Sequence, residues 1–267
     1  MATAVIITLA VILGASFGSF FNVVADRLPQ GQSLVSPPSH CPSCGRRLSP
    51  VELIPILSYL WLRGRCLSCK APIPRRIFFM ELGCGLVFAL AAWKYGFNPH
   101  SLLLGLYCSF FITLAVIDLE QGIIPNLLTY PAMLVTLILA PFWHKLGFPH
   151  HFLSHISPQW LLLGSFVSGI IGGMVFLIPL LIYPEGMGWG DVKLGALIGL
   201  VTGFPAVIVA ILVALLSGGL VAIFLVLTRR RGRKETIPFA PFLSLGALVA
   251  LGWGEQLLHW YLGLFWL

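Results

Sequence analysis

Charge is what this sequence has least of. Only 9% of its 267 residues are charged and nine are acidic, against 58% hydrophobic. Soluble globular domains carry about 25% charged residues, so the composition excludes an ordinary soluble fold. There is no βαβ unit with a glycine-rich dinucleotide-type turn, which leaves a pocket of that kind without support. The first apolar run, Ala2 to Val24, has no positive segment before it, and Arg27 follows rather than precedes it. A cleavable signal peptide needs the opposite arrangement, so the run reads as a retained span. The stretch from Trp143 to Pro158 holds His144, His150, His151 and His155 but no acidic residue. It also lacks the helical histidine pair with a helper carboxylate that marks a zinc protease, so it reads as a solvated loop.

What is present is apolar length. Mean hydropathy is +0.96, and several runs approach or exceed the roughly 20 residues that cross a hydrocarbon core. The expected fold is an all-α polytopic membrane protein of about eight transmembrane helices. These begin near Ala2, Ile77, Leu102, Pro125, Trp160, Val192, Phe204 and Ile237. Of the 16 Lys and Arg residues, eight lie from Arg27 to Arg76 and five from Arg229 to Lys234. Basic residues concentrated in loops beside spans are the positive-inside signature. The net charge of +7 is therefore assigned to topology, with membrane lipid as the partner and no nucleic acid. Six crossings separate the two basic loops, which places both on the cytoplasmic side and both termini outside.

The first loop, residues 25–76, contains Cys41-Pro-Ser-Cys44 and Cys66-Leu-Ser-Cys69, separated by the 21 residues 45–65. Two such pairs supply four thiolates for a tetrahedral zinc site. A closed four-cysteine site leaves no position for substrate, so the metal is read as structural. A reducing cytoplasm argues against disulfides. Cys84 and Cys108 fall in apolar runs and read as packing residues.

Carboxylates are rare enough that each requires an account. Asp118 ends the third span, before Pro125 breaks the chain. Asp191 follows Gly186-Met187-Gly188-Trp189-Gly190. The parity of the spans puts both aspartates on one face of the membrane at similar depth. Two carboxylates brought within a few ångströms share one proton, the arrangement in which one activates water while its protonated partner polarises a carbonyl. Gly188 and Gly190 would leave the backbone free to approach an extended substrate strand. The competing reading is that Asp191 N-caps a helix starting at Val192. Glu120 and Glu185 flank the aspartates and would favour a basic substrate segment. Lys193 is assigned to the lipid interface. Glu81, one turn inside the second span, is either functional or snorkels to pair with Arg75 or Arg76. Asn22 near the inner end of the first span reads as helix-packing glue.

Taken together, these stretches resemble the bacterial type IV prepilin peptidases, leader peptidase/N-methyltransferases of the GxGD intramembrane aspartyl protease class. Gly18-Ser19-Phe20-Phe21-Asn22 with Arg27-Leu28-Pro29 is similar to the family's N-terminal signature. The two cysteine pairs bracket Glu52-Leu53-Ile54-Pro55, as in full-length members. Asp118-Leu119-Glu120 through Ile124-Pro125, and Gly186 through Lys193, are similar to the two catalytic motifs. Asn126 stands where many members carry an aspartate. The resemblance implies catalytic Asp118 and Asp191, and substrates that are type IV prepilins or type II secretion pseudopilins with a short basic leader ending in glycine. Cleavage on the cytoplasmic side of the bacterial inner membrane would be followed by methylation of the new N-terminus with S-adenosylmethionine. Residues 1–100 would form the methyltransferase part and residues 101–267 a six-span peptidase core. Asn22, Glu81 and the zinc loop are the candidates for the methyl-donor site, on resemblance alone. The rival class is a proton-coupled transporter or channel using Asp118 and Asp191 as relays. It predicts ionisable groups spaced across the membrane, whereas the outer half of the bundle is nearly free of charge.

Overall fold

In a computed structural model, residues 2–146, 158–184, 187–228 and 238–264 are described. Helix α1 spans Ala2–Arg27, α2 Leu57–Trp61, α3 Arg75–Tyr95, α4 Pro99–Gln121, α5 Asn126–Leu139, α6 Pro158–Ile182, α7 Trp189–Thr202, α8 Ala206–Leu227 and α9 Ala240–Gly263. No strand occurs among the described residues, only the isolated bridges His40–Arg47 and Arg65–Pro72. The protein is an all-α polytopic membrane protein. Helices α1, α3, α4, α6, α8 and α9 are each long and apolar enough to cross a membrane.

Two of the eight expected crossings are short. Helices α5 and α7 have 14 residues each, about 21 Å at 1.5 Å per residue, against a hydrocarbon core of about 30 Å. Local backbone chemistry sets their ends. Gly122 at φ +65° and Pro125 separate α4 from α5, while Gly203 at φ +69° closes α7 ahead of Pro205. The basic segment 229–234, together with His150, His151 and His155, lies outside the described residues.

The chain divides into two compact units, Met1–Thr113 and Leu114–Leu267, with the division falling within the sequence of α4. In the first unit α1 packs on α3. A Cβ on Gly14 would lie 2.6 Å from the Cys84 carbonyl oxygen, and one on Gly18 would lie 2.7 Å from the Glu81 Cα. Only glycine allows this backbone approach, the small-residue packing expected between spans. Ala10, Phe88 and Ala92 form the core above it.

In the second unit α7 packs against α5, α6, α8 and α9, and most of its residues from Leu194 to Thr202 are buried. A helix surrounded this way has no solvent or lipid face, so its sequence is apolar all round. It meets α6 backbone to backbone. A Cβ on Gly199 would lie 2.0 Å from the Ser168 carbonyl oxygen, and one on Gly172 would lie 2.2 Å from that of Gly195. Gly199→Leu is therefore expected to destabilise the protein by about 3 kcal/mol or more, the upper end of overpacking costs. Gly219→Leu, at a position with open space, should leave the thermal unfolding temperature in detergent nearly unchanged.

Candidate active site and metal centre

Asp118 lies near the C-terminal end of α4, where that helix's own dipole disfavours an anion. It is nonetheless buried, at 6% exposure. The compensation comes from α9, whose first backbone N–H, that of Ala240, donates to Asp118 Oδ2 at 3.1 Å. The positive end of the α9 dipole thus meets the carboxylate. Nothing in the local sequence around Asp118 foretold this partner. The visible signal was Pro241, a residue common in the first turn of a helix, which marks where α9 starts.

Asp191 lies in the first turn of α7, and its Oδ2 accepts the Gly188 N–H at 3.3 Å. The N-cap expected of Asp191 falls instead to Gly188, because the helix begins at Trp189 rather than Val192. Asp191 occupies the third helical position, from which a carboxylate reaches back to the cap amide. Helix α7 packs against α5, which follows Asp118 after the Ile124-Pro125 turn, so the two motifs, 73 residues apart (191 − 118) in sequence, come together. Each carboxylate uses Oδ2 on a backbone amide, and among the described residues neither Oδ1 makes a hydrogen bond.

Two further contacts tie the motifs to each other. A Cβ on Gly190 would lie 3.1–3.2 Å from the side chain of Ile124, so Gly190 lets the start of α7 settle against the Ile124-Pro125 turn. Gly188 has no comparably close neighbour. Lys193 is half-buried and reaches across to α5. Its Nζ donates to Asn126 Oδ1 and lies 5.7 Å from the centroid of the Tyr130 ring. The i to i+4 spacing of Asn126 and Tyr130 on α5 makes that arrangement possible, and sequence reading of α7 alone had no access to it. Glu120 is exposed, and Glu185 and Gly186 lie outside the described residues.

In the first unit Cys41, Cys44, Cys66 and Cys69 are free thiols, and their sulfurs all lie within 4.8 Å of one another. The Cys41–Cys69 sulfur separation is 3.8 Å, the edge of a tetrahedron with metal–sulfur bonds of about 2.3 Å. The donor set therefore fits a tetrahedral metal. The two pairs are built alike. Cys41 N–H donates to the Arg46 carbonyl and Gly45 N–H to that of Cys41, both at 2.9 Å. Cys66 N–H donates to the Ala71 carbonyl at 2.8 Å and Lys70 N–H to that of Cys66 at 3.2 Å. Gly45 and Lys70 both take positive φ, at +69° and +59°. Amides of Cys69 and Ser68 pull the Cys66 thiol down to about 6, those of Cys44 and Ser43 lower Cys41, and burial with the neighbouring sulfurs pushes Cys69 up to about 11. The first two shifts favour the thiolate, the form that binds metal.

Glu81 is buried and does not snorkel. Its Oε2 accepts the Ile56 N–H at 2.7 Å, and Arg76 pairs with Asp26 instead. Ile56 is held at φ +63°, an outlier for a β-branched residue. Asn22 Nδ2 donates to the Ile77 carbonyl at 3.1 Å, while its buried Oδ1 has no partner.

Two families match this chain. The one described as Bacterial Peptidase A24 N-terminal domain covers residues 12–95, and the one described as Type IV leader peptidase family covers residues 105–223. The chain is 32% identical over 285 residues to the prepilin leader peptidase/N-methyltransferase of Pseudomonas putida, an alignment covering 96% of this chain and 94% of that protein. It is 33% identical over 259 residues to the protein of the same name from Bacillus subtilis (strain 168), covering 94% and 96%. No solved structure matches.

The metal loop carries a pH signature. Glu52 is brought from the ordinary 4.5 to about 2, first by the Arg46 side chain and then by the Ser49 amide. A carboxylate lowered on folding adds stability that is complete above its unfolded value. That stability should persist at pH values above 4.5 and fade as pH falls toward 2. Hydrogen exchange at the Ser49 amide should be faster in Glu52→Gln than in wild type at neutral pH, and the difference should vanish across that acid window.

Proposed function

The chain belongs to the type IV leader peptidase family, and from that premise we propose that it is a membrane aspartyl endopeptidase with Asp118 and Asp191 as its catalytic pair. Its substrates are type IV prepilins or type II secretion pseudopilins, cut after the glycine that ends a short basic leader. The observation that carries the reading is that the Asp118 and Asp191 motifs pack together within one compact unit, each carboxylate anchored through Oδ2 to a backbone amide. Two carboxylates brought within a few ångströms there share one proton. The ionised Oδ1 takes a proton from water as it attacks the scissile carbonyl, and the protonated partner donates to the carbonyl oxygen. Collapse of the tetrahedral intermediate returns a proton to the leaving amine. The apolar helices around α7 keep competing water away and strengthen both steps.

The active site faces the cytoplasm at the inner membrane, where the basic loops lie and both termini are external. Glu120 and Glu185 offer negative charge to the basic leader. Gly190 serves the site by docking the two motifs, and Gly188 by leaving the chain before α7 free of side chain. The four cysteines hold a structural zinc ion that folds a loop too small to bury a core of its own.

The N-terminal unit, within residues 1–100, is assigned the methyl transfer, and residues 101–267 the cleavage. S-adenosylmethionine supplies the methyl group when bound. A buried carboxylate and a buried amide oxygen without a donor, those of Glu81 and Asn22, suit its cationic end. Those residues would bind and orient, while the Ile56 amide keeps Glu81 in place.

Two outcomes test this. Asp118→Asn and Asp191→Asn should each lower cleavage of a full-length prepilin by about 10²–10⁴-fold, the usual range for general acid–base groups. Both variants should still fold, because an asparagine oxygen can accept the same backbone amides. Equal cleavage by Asp191→Asn and wild type would sink the assignment. Glu81→Gln should retain cleavage and lose methylation, so the mature substrate's N-terminal fragment would have the correct cut but no added methyl mass.

A further inference from the structure

Outside the spans, the segment 51–67 displays an unusual run of exposed large hydrophobics. Leu57, Leu60 and Trp61 of α2 are 64%, 57% and 73% exposed, and Leu53, Ile54 and Leu67 are exposed beside them. A water-facing loop rarely carries so much contiguous apolar surface without a partner. The segment is also fixed in place. Tyr59 of α2 packs against Phe78 of α3, the rings tilted by 30° with centroids 5.2 Å apart. The amide just before α2, that of Ile56, reaches Glu81, six residues into α3, or about 9 Å along its axis. The strained Ile56 conformation persists because this bond holds it. Helix α2 therefore lies level with the first turns of a membrane-crossing helix rather than beyond its end. Phe79 and Leu82 in the first turns of α3 are exposed as well.

Charge completes the description. Arg63, Arg65 and Lys70 are exposed, and none of them forms an ion pair among the described residues. Aromatic and aliphatic side chains on one side with cations at the margin are the composition of an interfacial membrane anchor, and tryptophan favours the headgroup level.

We propose that α2 and its flanking residues lie in the lipid interface, with Leu57, Leu60 and Trp61 among the acyl chains of an anionic bilayer and Arg63, Arg65 and Lys70 at its headgroup phosphates. The metal-binding loop is thereby held flat against the membrane. The basic residues select anionic lipid through their attraction to its headgroups.

Depth-dependent quenching tests this. Wild type and Trp61→Phe are reconstituted as full chains in vesicles of phosphatidylcholine with and without phosphatidylglycerol, each lipid brominated in turn on its acyl chains. The chain has eight tryptophans, so the wild-type emission minus that of Trp61→Phe isolates one. That difference should be blue-shifted, quenched by brominated lipid more strongly when the bromine is on phosphatidylglycerol, and indifferent to aqueous iodide. Quenching by iodide alone would mean the face is in water. Quenching by neither would mean a protein, a second copy or another chain, covers it. Equal quenching by both lipids would remove the anionic selection. Any of these three overturns the proposal. Leu57→Trp in the Trp61→Phe background repeats the measurement one turn away on the same face, should the first variant perturb its own packing.

Discussion

Asp118 can be buried in this bundle only because a backbone amide meets it there, and the site is organised by that hydrogen bond. A carboxylate near hydrocarbon with no donor is costly enough to be rare. The Ala240 N–H at 3.1 Å supplies the donor, and α9 behind it supplies the favourable end of a helix dipole. The first turn of α9 is thereby drawn to the end of α4. Asp191 solves the same problem within its own helix, through the Gly188 amide. What remains is to bring the two together, and this falls to α7, a short helix with neighbours on every side.

The shortness of α7 follows from what surrounds it. A helix of 14 residues cannot cross a bilayer core alone, and α7 is shielded by α5, α6, α8 and α9 rather than by lipid. Its start is docked by Gly190 on Ile124 and latched by Lys193 on Asn126. Its flank is seated on α6 by glycine contacts that leave no space for a methyl group. Placing a polar helix start inside the membrane-level bundle requires a close fit along the apolar remainder, and the glycines of α6 and α7 provide it.

The spans and the four-cysteine cluster were legible in the sequence because each rests on local composition or spacing. Apolar length reports a crossing whatever its partners are. The spacing of Cys41, Cys44, Cys66 and Cys69 reports ligand geometry, because a CxxC turn fixes where its sulfurs point. The partners of polar side chains were not legible. Lys193 sits beside Asn126, and Glu81 beside Ile56, through packing of segments 67 and 25 residues apart. No periodicity within either segment encodes those contacts. The N-cap of α7 was misplaced for a smaller reason. The helix starts two residues before Asp191, in a glycine-rich stretch whose composition argues against helix.

Scarcity of acid makes a common pattern visible. Of the nine carboxylates in the chain, Glu52, Glu81, Asp118 and Asp191 each accept a backbone N–H, from Ser49, Ile56, Ala240 and Gly188 respectively. Two of these bonds are local and two span long stretches of sequence. A backbone amide is a neutral donor. It satisfies one oxygen and leaves the negative charge in place for another task, where a lysine or arginine would neutralise it. At Glu52 the residual charge is spent on Arg46, and the result is structural. At Asp118, Asp191 and Glu81 no cation is paired with the carboxylate among the described residues. A membrane protein that needed these groups only for packing would be more stable with apolar residues of similar volume in their place. Three carboxylates without a paired cation among the described residues, each held by a neutral amide donor, leave their titration open to one another and to what binds beside them.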